Sequence, residues 1–241
     1  MSHGAERLAG KVAVVSGVSR GIGRAIADAF IREGASVIGL DLVDPTDGPP
    51  LRLLRRMDVA DEAAWIELAR ELAGNPTDVV VNNAGGLLDS SLLHEHSTDT
   101  WRRTLDVNLT SVFFSMRAFI PGMVERRYGS IINVGSISGV RGQADAAAYQ
   151  AAKAGVAILT RNAAITYARY GVRVNTLTPS VVSTEGLSIE SARRTASFVD
   201  GVPLGRPSSP GEVASAAVFL ASDESSFVTG AELRVDGGYL A

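Results

Sequence analysis

The chain has 241 residues, 46% of them hydrophobic and 20% charged, with a formal net charge of −3. That is enough apolar material for one large core, expected to form a single domain over 1–241, and the near-balanced charge offers no footprint for a nucleic-acid or anionic-membrane partner. Cysteine is absent, which excludes disulfides, thiolate nucleophiles and cysteine-held metals and fits a cytoplasmic setting; no apolar signal core is legible before Lys11, nor any run of about 18 apolar residues that would cross a membrane.

Val12 to Val15 is a short apolar run stopped by Ser16-Gly17, the pattern of a buried strand. Ile22, Ile26, Ala29 and Phe30 then recur at helical spacing up to Glu33, with Gly34 as terminator. A second strand is expected over Ser36 to Asp41, a turn-rich loop over Asp44 to Pro50, and a third strand within Leu51 to Val59. Asp61 caps a helix running to about Ala73. Asp78 to Asn82 is a fourth strand. Thr98 to about Arg126 is helical, with an interruption near Asn108. Ser130 to Val134 is a fifth strand, Ala147 to Tyr167 a long helix, and Val172 to Thr176 a sixth strand. Ser180 to Pro207 is polar and irregular, with a short helix near Glu190 to Phe198. A helix over Pro210 to Ala221 and a strand over Glu232 to Val235 close the chain. Strands alternating with helices demand long crossovers, hence an α/β fold with a doubly wound, mainly parallel sheet and helices on both faces. The long irregular segment follows a strand's C-terminal end, where open α/β sheets bind ligands, so it is expected to cover a substrate.

The first strand runs into Ser16-Gly17-Val18-Ser19-Arg20-Gly21-Ile22-Gly23. Glycines between a strand and a helix let the chain turn tightly and let its backbone approach a pyrophosphate at the positive end of the helix dipole. An ordinary βα turn also uses glycines, so the motif gains weight from Asp41. This acid ends the second strand 18 residues after Gly23, where a carboxylate can hydrogen-bond the adenosine ribose. It would also repel the 2′-phosphate of NADP, so NAD is the expected cofactor; Arg20, which can reach toward such a phosphate, points the other way. His94 and His96 stand two apart in a polar stretch and read as an exposed loop rather than a metal site; no metal is expected.

Tyr149 and Lys153 are four apart and share one helix face. A free phenol, with a pKa of about 10, is too weak a base at neutral pH; an adjacent ammonium would lower it and let the pair exchange a proton with an alcohol or carbonyl. The chain contains only two lysines, Lys11 and Lys153.

Over nearly all its length the chain resembles the classical short-chain dehydrogenase/reductase family. The family's Thr-Gly-x-x-x-Gly-x-Gly turn is matched by Ser16 and by Gly17, Gly21 and Gly23, with Ser19, Arg20 and Ile22 between them. Asn82-Asn83-Ala84-Gly85 matches a motif facing the cofactor, and Asp58-Val59 the acid beside the adenine. The catalytic asparagine corresponds to Asn108. The catalytic serine, about 13 residues before the tyrosine, corresponds to Ser136 rather than Ser138. Pro179 matches a Pro-Gly pair in which Ser180 replaces glycine, a change expected to affect a lid hinge because serine resists positive φ. Val182 and Thr184 match contacts to the nicotinamide carboxamide, and Asp236-Gly237-Gly238 matches a C-terminal signature. The resemblance implies a Rossmann-like fold and an oxidoreductase passing a hydride between NAD(H) and a secondary alcohol or ketone. Tyr149 would be the general acid/base, Lys153 would lower its pKa and bind the nicotinamide ribose, Ser136 would donate to the substrate oxygen, and Asn108 would hold a water leading to solvent. It also implies a homotetramer.

Substrate-lining positions are expected at His94, Ser138 and Gln143, with Arg141 as a candidate for a carboxylate and Leu87, Leu88, Leu187, Ile189 and Phe198 as apolar walls. Two alternatives stay open: an NADPH-dependent 3-oxoacyl thioester reductase, favoured by Arg20, and a non-catalytic NAD(H)-binding regulator, disfavoured by the complete catalytic set.

Overall fold

The computed structural model describes residues 6–45, 47–74, 76–183 and 199–241. Seven parallel strands form one sheet in the order β3-β2-β1-β4-β5-β6-β7. They are β1 (Val12–Ser16), β2 (Ser36–Asp41), β3 (Leu53–Arg56), β4 (Val79–Asn82), β5 (Gly129–Val134), β6 (Val172–Pro179) and β7 (Glu232–Val235). The chain steps outward from β1 to β3, then returns to place β4 on the other side of β1. This reversal leaves a crevice beyond the C-terminal ends of β1 and β4, the usual ligand site of such sheets.

The expected elements that fall within the described residues are present, with boundaries shifted by one or two residues and β6 extended to Pro179. On one sheet face, α1 (Gly21–Arg32) and α6 (Pro210–Ala221) bury Ile26, Phe30, Val213 and Val218 against Val15 and Leu177. On the other, α2 (Glu62–Glu71), α4 (Ser111–Arg126) and α5 (Ala147–Tyr167) bury Trp65, Phe119, Met123 and Val156 against Val14 and Ile131. Asp61 caps α2 by accepting from the Ala63 N–H at 2.9 Å, and Ser209 and Glu212 form a reciprocal capping box at α6.

α3 (Thr98–Leu105) and α4 are joined without a break by one π turn, Asp106–Thr110. A π turn fits an extra residue into the helix and re-aims its side chains, here Asn108. The continuous helix Thr98–Arg126 is long and apolar enough to match a bilayer by length and composition alone. Its apolar side nevertheless packs on the sheet through Val112, Met116, Ile120 and Met123. The hinge strain expected at Ser180 does not arise: among described residues other than glycine, positive φ occurs only at Arg127, Asp145 and Ala146. The short helix expected near Glu190 to Phe198 lies outside the described residues.

Candidate active site

The glycine turn is tied to the crevice by Ser16. Its hydroxyl accepts from the backbone N–H groups of Asn83 and Ala84, both at 3.0 Å, while Asn83 Nδ2 donates to the Ser16 carbonyl at 2.9 Å. The serine therefore joins the β1 turn to the segment after β4. Gly17 has φ +75°, which only glycine adopts freely, and a Cβ at Gly23 would sit 2.0 Å from the Gly17 carbonyl oxygen. Gly23 thus lets α1 start hard against the turn and lines no part of the crevice itself. α1 begins without a side-chain cap or a first-turn acid, so its first N–H groups and positive dipole end are left for an anion.

A cleft of about 840 Å³ runs from this turn across the sheet ends. Gly17, Ser19, Arg20, Gly21 and Ile22 line one stretch; Asp41, Asp58 and Val59 line another; Asn83, Ala84 and Gly85 lie between these and Tyr149, Lys153, Pro179 and Val182. Asp41 is held firmly: it accepts from Ser19 N–H at 2.8 Å and Leu42 N–H at 2.7 Å. Arg20 is exposed. Burial alone would raise the Asp58 carboxyl, but the Ala60 N–H and the Arg103 guanidinium, 2.9 Å away, hold it below the usual range. Arg103, with Leu42, Met57 and Gly86, is a cleft residue that the sequence reading missed. No local signal marks it, because its partner Asp58 lies 45 positions away. The turn, the free helix end and the paired acids fit a dinucleotide along this cleft.

At the other end, Ser136 begins a 3₁₀ turn after β5, and Tyr149 and Lys153 project from α5. A Cβ at Gly139 would fall 2.7 Å from the Lys153 carbonyl carbon, so glycine sets the close approach of that turn to α5. The Ser136 side chain lies close enough to the Tyr149 hydroxyl to influence its titration. Lys153 Nζ donates to the Val134 carbonyl at 2.8 Å and lies 5.7 Å from the centroid of the Tyr149 ring. Its burial lowers the ammonium pKa to about 8. Tyr149 is pushed up by burial, and Ser136 offsets part of the rise. Desolvation is the larger influence on the tyrosine, and the Lys153 ammonium is bound to a carbonyl rather than to the phenol oxygen.

Asn108 is held by backbone partners. Its side chain is buried, accepts from Gly86 N–H at 2.9 Å, and donates to the carbonyls of Gly86 and Thr104, both at 3.0 Å. Both amide protons are spent on backbone, so the side chain clamps the loop after β4 rather than holding a water by donation. A Cβ at Gly85 would come 2.5 Å from Asn108 Oδ1, which makes that glycine part of the clamp.

A smaller pocket of about 170 Å³ adjoins the cleft, and Leu87, Ser136, Tyr149 and Ser180 line both. Ser138 and Gln143 lie in its wall, as expected. His94 does not: its side chain is 78% exposed on a short 3₁₀ turn and lines neither space. Arg141 is also outside the pocket, with its guanidinium over the Tyr239 ring at 5.3 Å. Thr184, Leu187, Ile189 and Phe198 lie outside the described residues. The described ends of the segment over 180–207 are stitched together, with Ser183 N–H donating to the Ser208 carbonyl at 2.8 Å and Ser208 N–H to the Val181 carbonyl at 3.0 Å.

Comparison with known proteins places this geometry. Residues 17–240 match a family model described as enoyl-(acyl carrier protein) reductase. The chain is 41% identical to the NADP-dependent (R)-specific alcohol dehydrogenase of Lentilactobacillus kefiri, covering 98% of this chain and 99% of the relative. It is 42% identical to the cis-4-hydroxycyclohexanecarboxylate dehydrogenase of Sinomonas cyclohexanicum, with coverage of 98% and 99%. Among solved structures, the ligand-free aldohexose dehydrogenase of Thermoplasma acidophilum superposes with a TM-score of 0.89 at 33% identity, over 98% of this chain and 96% of that one.

Proposed function

The chain belongs to the classical short-chain dehydrogenase/reductase family of oxidoreductases, which use a nicotinamide cofactor, and from that premise we propose that it is NAD-dependent and acts on a small secondary alcohol or its ketone. The observation that carries this reading is the position of Ser136 and Tyr149 on the boundary between the long cleft and the small pocket, where a carbinol in the pocket would meet a dinucleotide in the cleft.

Gly17 to Ile22 would hold the pyrophosphate, Asp41 the adenosine ribose, Asp58 and Val59 the adenine, Asn83 to Gly85 the middle of the dinucleotide, Lys153 the nicotinamide ribose, and Pro179, Val182 and Thr184 the carboxamide. A bound nicotinamide supplies or takes the hydride. The chain's own residues manage the proton and the charge. Tyr149 Oη takes the hydroxyl proton in oxidation and returns it in reduction. The Ser136 hydroxyl donates to the substrate oxygen where negative charge builds. Lys153, a cation poised near neutrality at about 8, favours the phenolate once it turns toward Tyr149. Asn108 acts by fixing Gly86 and hence the cleft wall.

NAD over NADP rests on Asp41. Its carboxylate is anchored by backbone donors, so it cannot swing away from a 2′-phosphate, and close like charges repel strongly at low dielectric. The competing thioester-reductase reading draws on Arg20, exposed beside the same turn. Absorbance in the NADH band decides, with NAD and NADP in parallel against secondary alcohols and hydroxyacyl thioesters. Turnover of an alcohol with NAD supports the proposal. Turnover confined to NADP, or to thioesters, overturns it.

The segment over 180–207 is the proposed flap over the pocket, its neck closed by the Val181–Ser208 and Ser183–Ser208 bonds. We also propose a homotetramer with α4 and α5 at its interfaces. Ile158 and Ile165, seven positions apart on one side of α5, are 62% and 83% exposed in one chain, and Phe113 on α4 is 44% exposed, apolar surface that a second chain would cover. Light scattering at the mass of four chains is the expected result, and a monomer would refute it.

A further inference from the structure

Gln143 carries an unused hydrogen-bonding group in the wall of the small pocket. Its Oε1 accepts from the Ser138 hydroxyl at 3.0 Å, while its Nε2 is shut off from solvent and bonded to nothing. Buried polar groups are almost always paired, so each exception asks for an explanation. The loop that presents it is held in place from α5. Gln150, next to Tyr149, accepts from the Gln143 N–H at 2.9 Å and donates to the carbonyls of Gln143 and Asp145 at 3.0 and 2.6 Å. Asp145 and Ala146 take φ of +64° and +56°, conformations that cost L residues strain and persist where surroundings enforce them. Gln143 is thus placed by the helix that carries the catalytic tyrosine.

We propose that the Ser138–Gln143 couple binds a second hydroxyl of the substrate, so that the preferred substrate is a diol or hydroxyketone rather than a simple alcohol; this deepens, and rests on, the reading of the site as an alcohol dehydrogenase. The chemistry of the couple selects a hydroxyl. With its proton given to Gln143, Ser138 Oγ has only lone pairs left to offer, while Nε2 has only protons. If the amide is turned by half a revolution, it donates to Ser138 and presents Oε1, and the serine proton is released. In either orientation the couple offers one donor and one acceptor, the complement of a hydroxyl. A carboxylate needs donors at both points, and none of the described residues lining this pocket is a cation. The terminal torsion of glutamine is broad, so the amide turns toward an entering oxygen at low cost. Since Nε2 is already dry, no water has to be stripped from it.

The test compares cyclohexanol, the cyclohexanediol isomers and the hydroxycyclohexanecarboxylates. Turnover is measured with the wild-type protein, and binding by calorimetry with NAD-loaded Tyr149→Phe, which reads affinity without chemistry. At least one diol should exceed cyclohexanol by about 10-fold or more in kcat/KM and in affinity, the scale of one recovered buried hydrogen bond. Gln143→Met should bring that ratio to within about twofold of one, and Ser138→Ala, which breaks the same couple from the other side, should reduce it as well. A ratio near one in the wild type, a ratio untouched by both substitutions, or a hydroxy acid preferred over every diol would each overturn the inference. If diols bind preferentially but no alcohol is oxidised with either cofactor, the dehydrogenase reading falls while the second-hydroxyl site stands.

Discussion

The two ends of the cleft offer different kinds of surface to a ligand. At the glycine turn, recognition is built from backbone: free N–H groups at the start of α1, a close approach allowed by Gly17 and Gly23, and one anchored acid, Asp41. At the other end it is built from side chains, Ser136, Tyr149 and Lys153, the last two with proton affinities shifted by their surroundings. A backbone site tolerates exchange of most side chains but not an added Cβ. A side-chain site tolerates changes of backbone neighbours but not loss of one functional group.

Tyr149→Phe should show the largest effect. It keeps the ring and removes the proton carrier, so kcat should fall about 10²–10⁴-fold while NADH fluorescence titration gives an unchanged Kd. Retained turnover would end the side-chain account of catalysis. Gly23→Ala tests the opposite end. A Cβ 2.0 Å from the Gly17 oxygen and 2.4 Å from Asn83 Nδ2 must push α1 off the turn, so cofactor affinity should drop by about 100-fold with a lowered Tm, as expected for overpacking of a few kcal/mol. Asp41→Ala comes next. It removes the one charge the backbone site relies on and should move the NADP/NAD ratio of kcat/KM upward by roughly tenfold; an unmoved ratio would assign cofactor choice to Arg20.

The smallest effects are pH dependences. Because burial raises Tyr149, the phenolate is scarce at neutral pH. Alcohol oxidation should therefore climb through the alkaline range while ketone reduction declines. The buried Lys153 has a pKa of about 8 against an ordinary 10.5, so between these values the unfolded chain binds more protons than the folded one. The stability of the cofactor-free protein should consequently rise with pH across that window, in differential scanning calorimetry, relative to Lys153→Met. A flat difference between the two proteins would mean that the ammonium is not desolvated.

Much of this molecule is readable one segment at a time. Val12 to Val15, the glycines after them and Asp41 declare a βα turn and a strand-end acid because they obey short-range rules of period and turn chemistry. Ala147 to Tyr167 and Pro210 to Ala221 were legible to the residue for the same reason. Asn108 was legible as a position, but its function was not: the π turn aims its amide at Gly86, 22 positions earlier. His94 illustrates the converse, a polar residue of suitable chemistry that a surface turn carries away from the pocket.

The sequence by itself determined the order of the elements, the glycine turn after β1 and the placing of Tyr149 and Lys153 on one helix face, since each is encoded in short stretches whose spacing follows from helix and strand geometry. Tertiary structure alone decided the direction in which Tyr149 and Lys153 are shifted, the pairing of Arg103 with Asp58, and the idle amide of Gln143. Those properties depend on desolvation and on partners brought together by packing, and neither is written in any local stretch of the chain.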